Sequence, residues 1–424
     1  MARYGVFAEM RGAKRIVEAF FLVMMFLAIF NLGSIETFAK TINFQEHQIA
    51  EGFAGVMCVE SVDLDKDGDV DILGASESGN EIAWWENDGG QTFTKQVVTN
   101  SFSGVFKARA VDLDDDSDVD ILGVAQTGNE IAWWENDGEQ DFTKHLIAQY
   151  TLGTSVNTCD IDGDGDLDLL STARNDITWW ENEGEENFTQ YSLVNRSPAG
   201  SRTYIFHIYP ADLDNDDDID IISGDNYWGS GDSGDTIFYW LNDGNENFAR
   251  YEVPGIHYAQ FHGLHVSDVD DDGDVDFCCT SPDKKTVDWF ENDGELNFMR
   301  HTAVNDFEGA NSVFVADMDN DGDKDLLAAA YLGKKISWFV NDGNQQFTEQ
   351  VIATDYDTAS HCLAHDVDQD GDLDVVGATW SSEITWWESN LSNTGSSAGG
   401  LEITGAVVAG FALFKLKKFK KMQK

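Results

Sequence analysis

Positive charge is the scarcest commodity in this chain. Lys and Arg number 26 against 78 Asp and Glu, for a formal net charge of −52. Six of those lysines fall in the last ten residues, so the body holds fewer still. A surface of that sign repels phosphodiester backbones and anionic headgroups, which excludes nucleic acid and acidic membrane surfaces as partners of the body. Cysteine is sparse and odd in number: Cys58, Cys159, Cys278, Cys279 and Cys362. Most of the five stand in apolar, strand-like stretches, so buried free thiols are expected, with one disulfide as the alternative. Long apolar runs are missing as well. The run Ala19 to Leu32 has fourteen residues; as a helix it would span about 21 Å, short of the ~30 Å hydrocarbon core. No spaced catalytic motif is present.

The ends carry addressing signals. Arg11, Lys14 and Arg15 precede the apolar run, and Thr37-Phe38-Ala39 follows it, so residues 1–39 read as a signal peptide and the protein as exported. A retained anchor is the alternative. A Ser/Gly linker is expected over 391–402, followed at 403–424 by an apolar segment and the lysines. That order resembles the tripartite sorting tails of surface proteins, with Gly399-Gly400 as the small-residue motif. The lysines would stay cytoplasmic and the body would face outward. A basic amphipathic tail lying on a membrane is the other reading.

Against these shortages aspartate is in excess, and it is ordered. Seven ladders of the form Asp-x-Asp-x-Asp-x-Asp-x-Asp recur about every fifty residues. The first is Asp63, Asp65, Asp67, Asp69 and Asp71; the second Asp112, Asp114, Asp116, Asp118 and Asp120. The third is Asp160, Asp162, Asp164, Asp166 and Asp168; the fourth Asp212, Asp214, Asp216, Asp218 and Asp220. The last three are Asp268, Asp270, Asp272, Asp274 and Asp276; Asp317, Asp319, Asp321, Asp323 and Asp325; and Asp366, Asp368, Asp370, Asp372 and Asp374. Five carboxylates in nine residues repel one another unless a hard cation sits among them. Calcium takes six to eight oxygens, so up to seven structural Ca²⁺ ions are expected. The side chains at positions one, three and five would ligate, position seven would offer its carbonyl, and position nine would close the site. Position six must turn sharply, hence Gly68, Gly165, Gly273, Gly322 and Gly371. Ser117 and Asp217 depart from this, and since Asp tolerates the left-handed region better than Ser, the second site should be the weakest. An EF-hand is excluded: no Glu stands at position twelve and no helices flank the loops.

Each repeat carries four short β-rich runs separated by turn chemistry. In the second they are Val105 to Val111, Ile121 to Val124, Glu130 to Trp134 and Phe142 to Ile147. Seven such units predict an all-β, seven-bladed β-propeller over 42–390. Repeats one to six should each end in a strand starting at Phe93, Phe142, Phe188, Phe248, Phe298 or Phe347. The seventh stops at Trp386-Trp387-Glu388-Ser389, while Phe44 to Ile49 stands alone at the front and aligns with Phe93 to Val98. The N-terminal strand should therefore complete the last blade. The paired aromatics, Trp84-Trp85 to Trp386-Trp387, fall at one position in every repeat and read as core rather than as sugar platforms.

The ladders, the WWENDG-like turns and the Phe that follows them resemble the FG-GAP/VCBS repeats of integrin α-subunit propellers and of many secreted microbial proteins. The likeness spans about residues 42–390. It implies that the alternating Asp residues bind calcium and that the metals brace the link between first and second strands.

A ligand is expected on the face away from the ladders, where the insertion 225–235 lies. Four residues before each ladder stands an apolar residue, which should pack. Three and five before, the residues vary in polarity and should converge at the axial mouth: Glu60, Lys107, Arg109, His207, Tyr209, His265 and His361, joined by Trp228 and His262. Such a set suits an acidic glycan or a peptide carboxylate. The leading reading is a secreted or surface-anchored binding or adhesion module for a glycan or protein ligand. A polysaccharide lyase using His207, Tyr209, His265 and Arg109, and a structural surface-layer component, are the alternatives.

Overall fold

The structure, a computed structural model, describes residues 41–174, 176–184, 187–194, 203–227, 236–256 and 261–392. The expected signal, the lysine tail and Trp228 lie outside the described residues. Among the described residues no helix is long and apolar enough to cross a membrane. The compact unit runs from Ile42 to Leu391.

Seven four-stranded antiparallel sheets form a seven-bladed β-propeller. The inner strands are Val56–Val62, Val105–Val111, Gly153–Cys159, Thr203–Ala211, Leu264–Ser267, Ala310–Ala316 and Ala359–His365. Each pairs with a second strand, then a third and a fourth, in chain order. The seventh sheet differs as the sequence predicts: its outer strand is Thr41–Ala50, hydrogen-bonded to Ile384–Ser392. The fourth strand of the fifth blade begins at Met299 rather than at Phe298. Phe298 is buried there, packed 5.4 Å from the rings of both Tyr239 and Phe277, so its side chain serves the core between blades four and five.

The core lies between blades. Cys58, Leu73 and Trp84 of the first blade meet Phe102, Ala108 and Trp134 of the second in one cluster. The cluster that seals the ring joins Phe53, Val59 and Trp85 to Val376, Ile384 and Trp386. The second strands Asp71–Ser76, Asp120–Ala125 and Asp325–Ala330 are buried along their whole length, covered on both faces by neighbouring blades. Both members of the aromatic pairs are buried, including Trp133 and Trp134 at 2% and 3% exposure. All five cysteines are free thiols, four of them buried.

Candidate metal sites and axial mouth

Each ladder is the link between a blade's first and second strands. Its ninth residue opens the second strand and is fully buried, as at Asp71, Asp120 and Asp374. Asp71 Oδ2 accepts the Leu64 N–H at 3.0 Å and Oδ1 accepts the Asn87 N–H at 2.8 Å. The second bond fastens the ladder to the Asn-Asp-Gly turn between third and fourth strands, and Asn87 Nδ2 donates back to the Val70 carbonyl at 3.2 Å. The pattern repeats at Asp120 with Leu113 and Asn136, and at Asp276 with Val269 and Asn292. In the last blade Ser389 N–H takes the place of the asparagine's, at 2.7 Å from Asp374. The WWENDG-like motif is thus half of a clamp whose other half is the ninth aspartate.

The sharp turn expected at position six is present. Gly68, Gly165, Gly273, Gly322 and Gly371 have φ of 97 to 102°, and Ser117 and Asp217 are held at 78° and 72°. The sequence gives less warning of position four, which is also left-handed: Lys66, Asp115, Asn215, Asn320 and Gln369 have φ of 55 to 60°. That turn throws the side chain onto the next ladder. Lys66 pairs with Asp118 at 2.5 Å, Asn215 donates to Asp274 at 2.7 Å, and Gln369 donates to the Gly68 carbonyl. The signal was a position free to vary inside an otherwise fixed motif.

Carboxylate oxygens of positions one, three and nine converge within 4.8 Å in Asp63/Asp65/Asp71, Asp112/Asp114/Asp120, Asp212/Asp214/Asp220 and Asp268/Asp270/Asp276; in the third ladder the trio is Asp160/Asp162/Asp164. Position seven turns away: the carboxylates of Asp69, Asp118 and Asp274 lie against the turn glycines Gly89, Gly138 and Gly294. Burial, reinforced by the neighbouring carboxylates, pushes Asp71, Asp120, Asp276, Asp325 and Asp374 up to about 7, against the pull of their backbone hydrogen bonds. The first-position Oδ1 atoms of Asp63, Asp112, Asp268 and Asp366 are buried and accept no hydrogen bond. Orphaned, crowded, oxygen-only donors are what a hard divalent cation satisfies, and the residues fit one. Clusters of this kind can hold metal ions and are compatible with calcium.

The opposite face holds the axial mouth. The residues four before each ladder are buried, including Val59, Ala108, Ile208 and Val313. Those three and five before run along the channel wall toward the next blade. Short ones, Cys58 and Ser312, are buried between inner strands; Cys58 Sγ accepts the Ala108 N–H at 3.2 Å. Long ones stay half-buried in the channel: Glu60, Lys107, Arg109, His207, Tyr209, His265 and His361. Arg109 donates to Glu60 and to Asn157, and Asn157 donates on to the Ile208 carbonyl. His265 packs 4.6 Å from Phe314. A bulge one residue earlier, between Val105 and Lys107 and between Ile205 and His207, swings Phe106 and Phe206 into the mouth, where their rings stack at 5.7 Å. At the same level His262 bonds Asn311 at 2.7 Å and faces Tyr331, which in turn contacts Trp380. These last two rings are mouth residues that sequence reasoning missed. Burial, then the charge of Lys107, holds His207 and His361 down to about 3, and burial holds His265 to about 4.

Comparison with known proteins agrees with this architecture. The family described as FG-GAP-like repeat matches residues 63–123, 112–171, 160–223, 268–328 and 325–377. No curated protein matches the sequence. Among solved structures, an Agrocybe aegerita lectin that recognises non-reducing terminal N-acetylglucosamine is similar at 19% identity and TM-score 0.51, covering 82% of this chain and 86% of its own. Streptogramin B lyase is similar at 13% identity and TM-score 0.55, covering 82% and 98%. BBS1N, solved in complex with ARL6DN, gives 13% and 0.55, covering 83% and 97%. At such identities the likeness is one of fold.

Proposed function

The chain belongs to the FG-GAP-like repeat family, and from that premise we propose that it is a calcium-braced binding module, exported and held at the cell surface, that takes an extracellular glycan or protein ligand. A propeller of these repeats is a fold suited to a binding module. One observation carries the finer reading: the two faces are built differently. On the ladder face the same bonds recur in blade after blade, as at Asp71, Asp120 and Asp276. On the other face the inner-strand side chains change from blade to blade while the apolar residue between them stays buried. Repetition there maintains the scaffold, and variation on it makes a site.

In this reading positions one, three and nine of each ladder would hold the ion, with position five contributing in the third. Bound calcium would supply charge neutralisation and oxygen cross-linking between first and second strands, with no part in chemistry. The protein's own residues then present the mouth: Arg109 is positioned by Glu60 and Asn157, and Tyr331 and Trp380 form a half-buried aromatic edge next to His262.

The test passes the full chain, in 1 mM calcium, over acidic and neutral polysaccharides, following retention and newly formed unsaturated ends together. Retention without new ends, weakened by Trp380→Ala, is expected. New ends that vanish in His265→Ala would overturn the reading in favour of a lyase. Silence in both channels would remove the glycan as ligand.

A further inference from the structure

The axial channel is a cationic enclosure inside an anionic protein. Lys107 and Arg109 enter it from the second blade, His207 from the fourth, His265 from the fifth and His361 from the seventh. Glu60 is the only carboxylate in the seven inner strands, and it is already committed. It takes an arm of Arg109 and the Ala110 N–H, the latter at 2.8 Å. Lys107 is left over: among the described residues its ammonium has neither a hydrogen bond nor an ion pair. The Nδ1 of His361 is buried and has no hydrogen-bond partner.

Lys107, His207 and His361 stand five residues before their ladders on three inner strands and so share the channel. The charge of Lys107 bears on both His207 and His361, and His361 also senses His207, Arg109 and His265. Blades two, four, five and seven can couple in this way only across the axis. A half-buried ammonium beside neutral imidazoles is costly, and among the described residues no free carboxylate of the inner strands answers it. An anion does so, accepting hydrogen bonds from Lys107 and from imidazole N–H groups at once.

We propose that the channel is an anion site, in which a single carboxylate or sulfate group sits between Lys107, His207 and His361. The group enters either as a free ion or as the pendant acid of a saccharide docked at the mouth. Phe106 and Phe206, the residues just before Lys107 and His207, stack 5.7 Å apart between the second and fourth blades, so these two inner strands approach each other at the level of the site. Among the described residues the other groups facing the site are Cys58, Tyr209, His262 and His265; the His262 side chain is occupied by Asn311, its backbone bonds the His207 ring, and His265 lies against Phe314. A bound anion favours the protonated imidazoles, so binding takes up protons and tightens as pH falls, by up to about ten-fold per pH unit for each proton taken up. The saccharide form of this site presupposes the ligand face proposed above.

Equilibrium dialysis of labelled acetate, sulfate and glucuronate against the full chain in 1 mM calcium, at pH 7.5 and 5.5, tests it, with glucose as the neutral control. One saturable equivalent is expected, at least ten-fold tighter at pH 5.5, and at least ten-fold weaker in Lys107→Met but unchanged in Lys284→Met. His361→Gln should flatten the pH dependence, which keeps the test alive if Lys107→Met does not fold. Glucuronate exceeding acetate identifies a saccharide acid, and equality a free ion; either supports the site. Unsaturable uptake, or uptake indifferent to both channel variants, overturns it. Polysaccharide retention without anion uptake would end the channel site and leave the binding module, and uptake without retention would do the reverse.

Discussion

His47 closes on Glu388 at 2.8 Å, joining residues 341 positions apart in the chain, and its ring stacks 4.4 Å above Trp386. The same three-part contact recurs within single blades, where His145 bonds Glu135 over Trp133 and His301 bonds Glu291 over Trp289. The N-terminal strand therefore docks with the side-chain chemistry of an ordinary fourth strand, and what differs is only that no short turn holds it in place.

That difference sets the first expectation. His47→Ala and His301→Ala each lose a stack and a hydrogen bond, worth together about 1–2 kcal/mol. Only His47→Ala should also speed amide exchange along Ile384–Ser392, because that strand's outer partner is no longer pinned. Hydrogen exchange read by mass spectrometry checks this. Equal exchange in the two variants would show that the closure does not depend on this contact.

The ladder positions should separate by role. Asp63 has a buried, unsatisfied oxygen, whereas Asp71 is filled by two backbone N–H groups. Asp63→Asn should cost stability in calcium and almost none in chelator. With a Kd of about 0.1 mM at 1 mM free calcium, the loss is about 1.4 kcal/mol. Asp71→Asn turns an amide donor toward a backbone donor and should cost about 1–3 kcal/mol in both conditions. Urea unfolding with calcium and with EDTA distinguishes the two, and loss by Asp63→Asn in EDTA would refute the assignment.

How far these roles could be read in advance depended on repetition. Seven copies made the turn at position six, the closure by Phe44 to Ile49 and the buried aromatic pairs legible, because chance does not align them seven times. The aspartates themselves hid their division of labour: Asp69 and Asp71 are one residue type at alternate places, yet one faces a turn glycine and the other anchors the second strand. The stacking partners were harder. His145, Tyr191, Tyr251, His301 and His47 all stand three residues after a Phe, but the side chain changes, so spacing was their only signal. At the mouth, varied polarity along the inner strands pointed to the right residues. It could not show that Arg109 is spent on Glu60 and Asn157, since that pairing crosses two blade boundaries.

Ser117 offers a gain of stability. It occupies φ of 78° where five of the other ladders have glycine, and an L side chain there costs about 1 kcal/mol. Ser117→Gly should raise the urea midpoint and tighten calcium binding at the second ladder. Asp217→Gly should gain less, because Asp tolerates that region better. A larger gain at Asp217 than at Ser117 would reverse the ranking of the sites.

The channel histidines set a pH dependence whose sign can be worked out. His207 and His361 are held to about 3 in the folded state against an ordinary 6.5, by burial first and by Lys107 second. Unfolding releases them to bind protons, so their contribution is complete above pH 6.5 and declines as pH falls toward 3. Each can lower the unfolding free energy by up to about 1.4 kcal/mol per pH unit in that window. The calcium-free ladders act oppositely: Asp71 and its equivalents, raised to about 7, favour the folded state as they take up protons. Saturating calcium keeps those carboxylates ionised, and comparison with His207→Asn and His361→Asn cancels what remains of their effect. In calcium the wild-type urea midpoint should fall more steeply than either variant's between pH 7 and 5.5. Parallel slopes would mean that these imidazoles titrate normally in the folded protein.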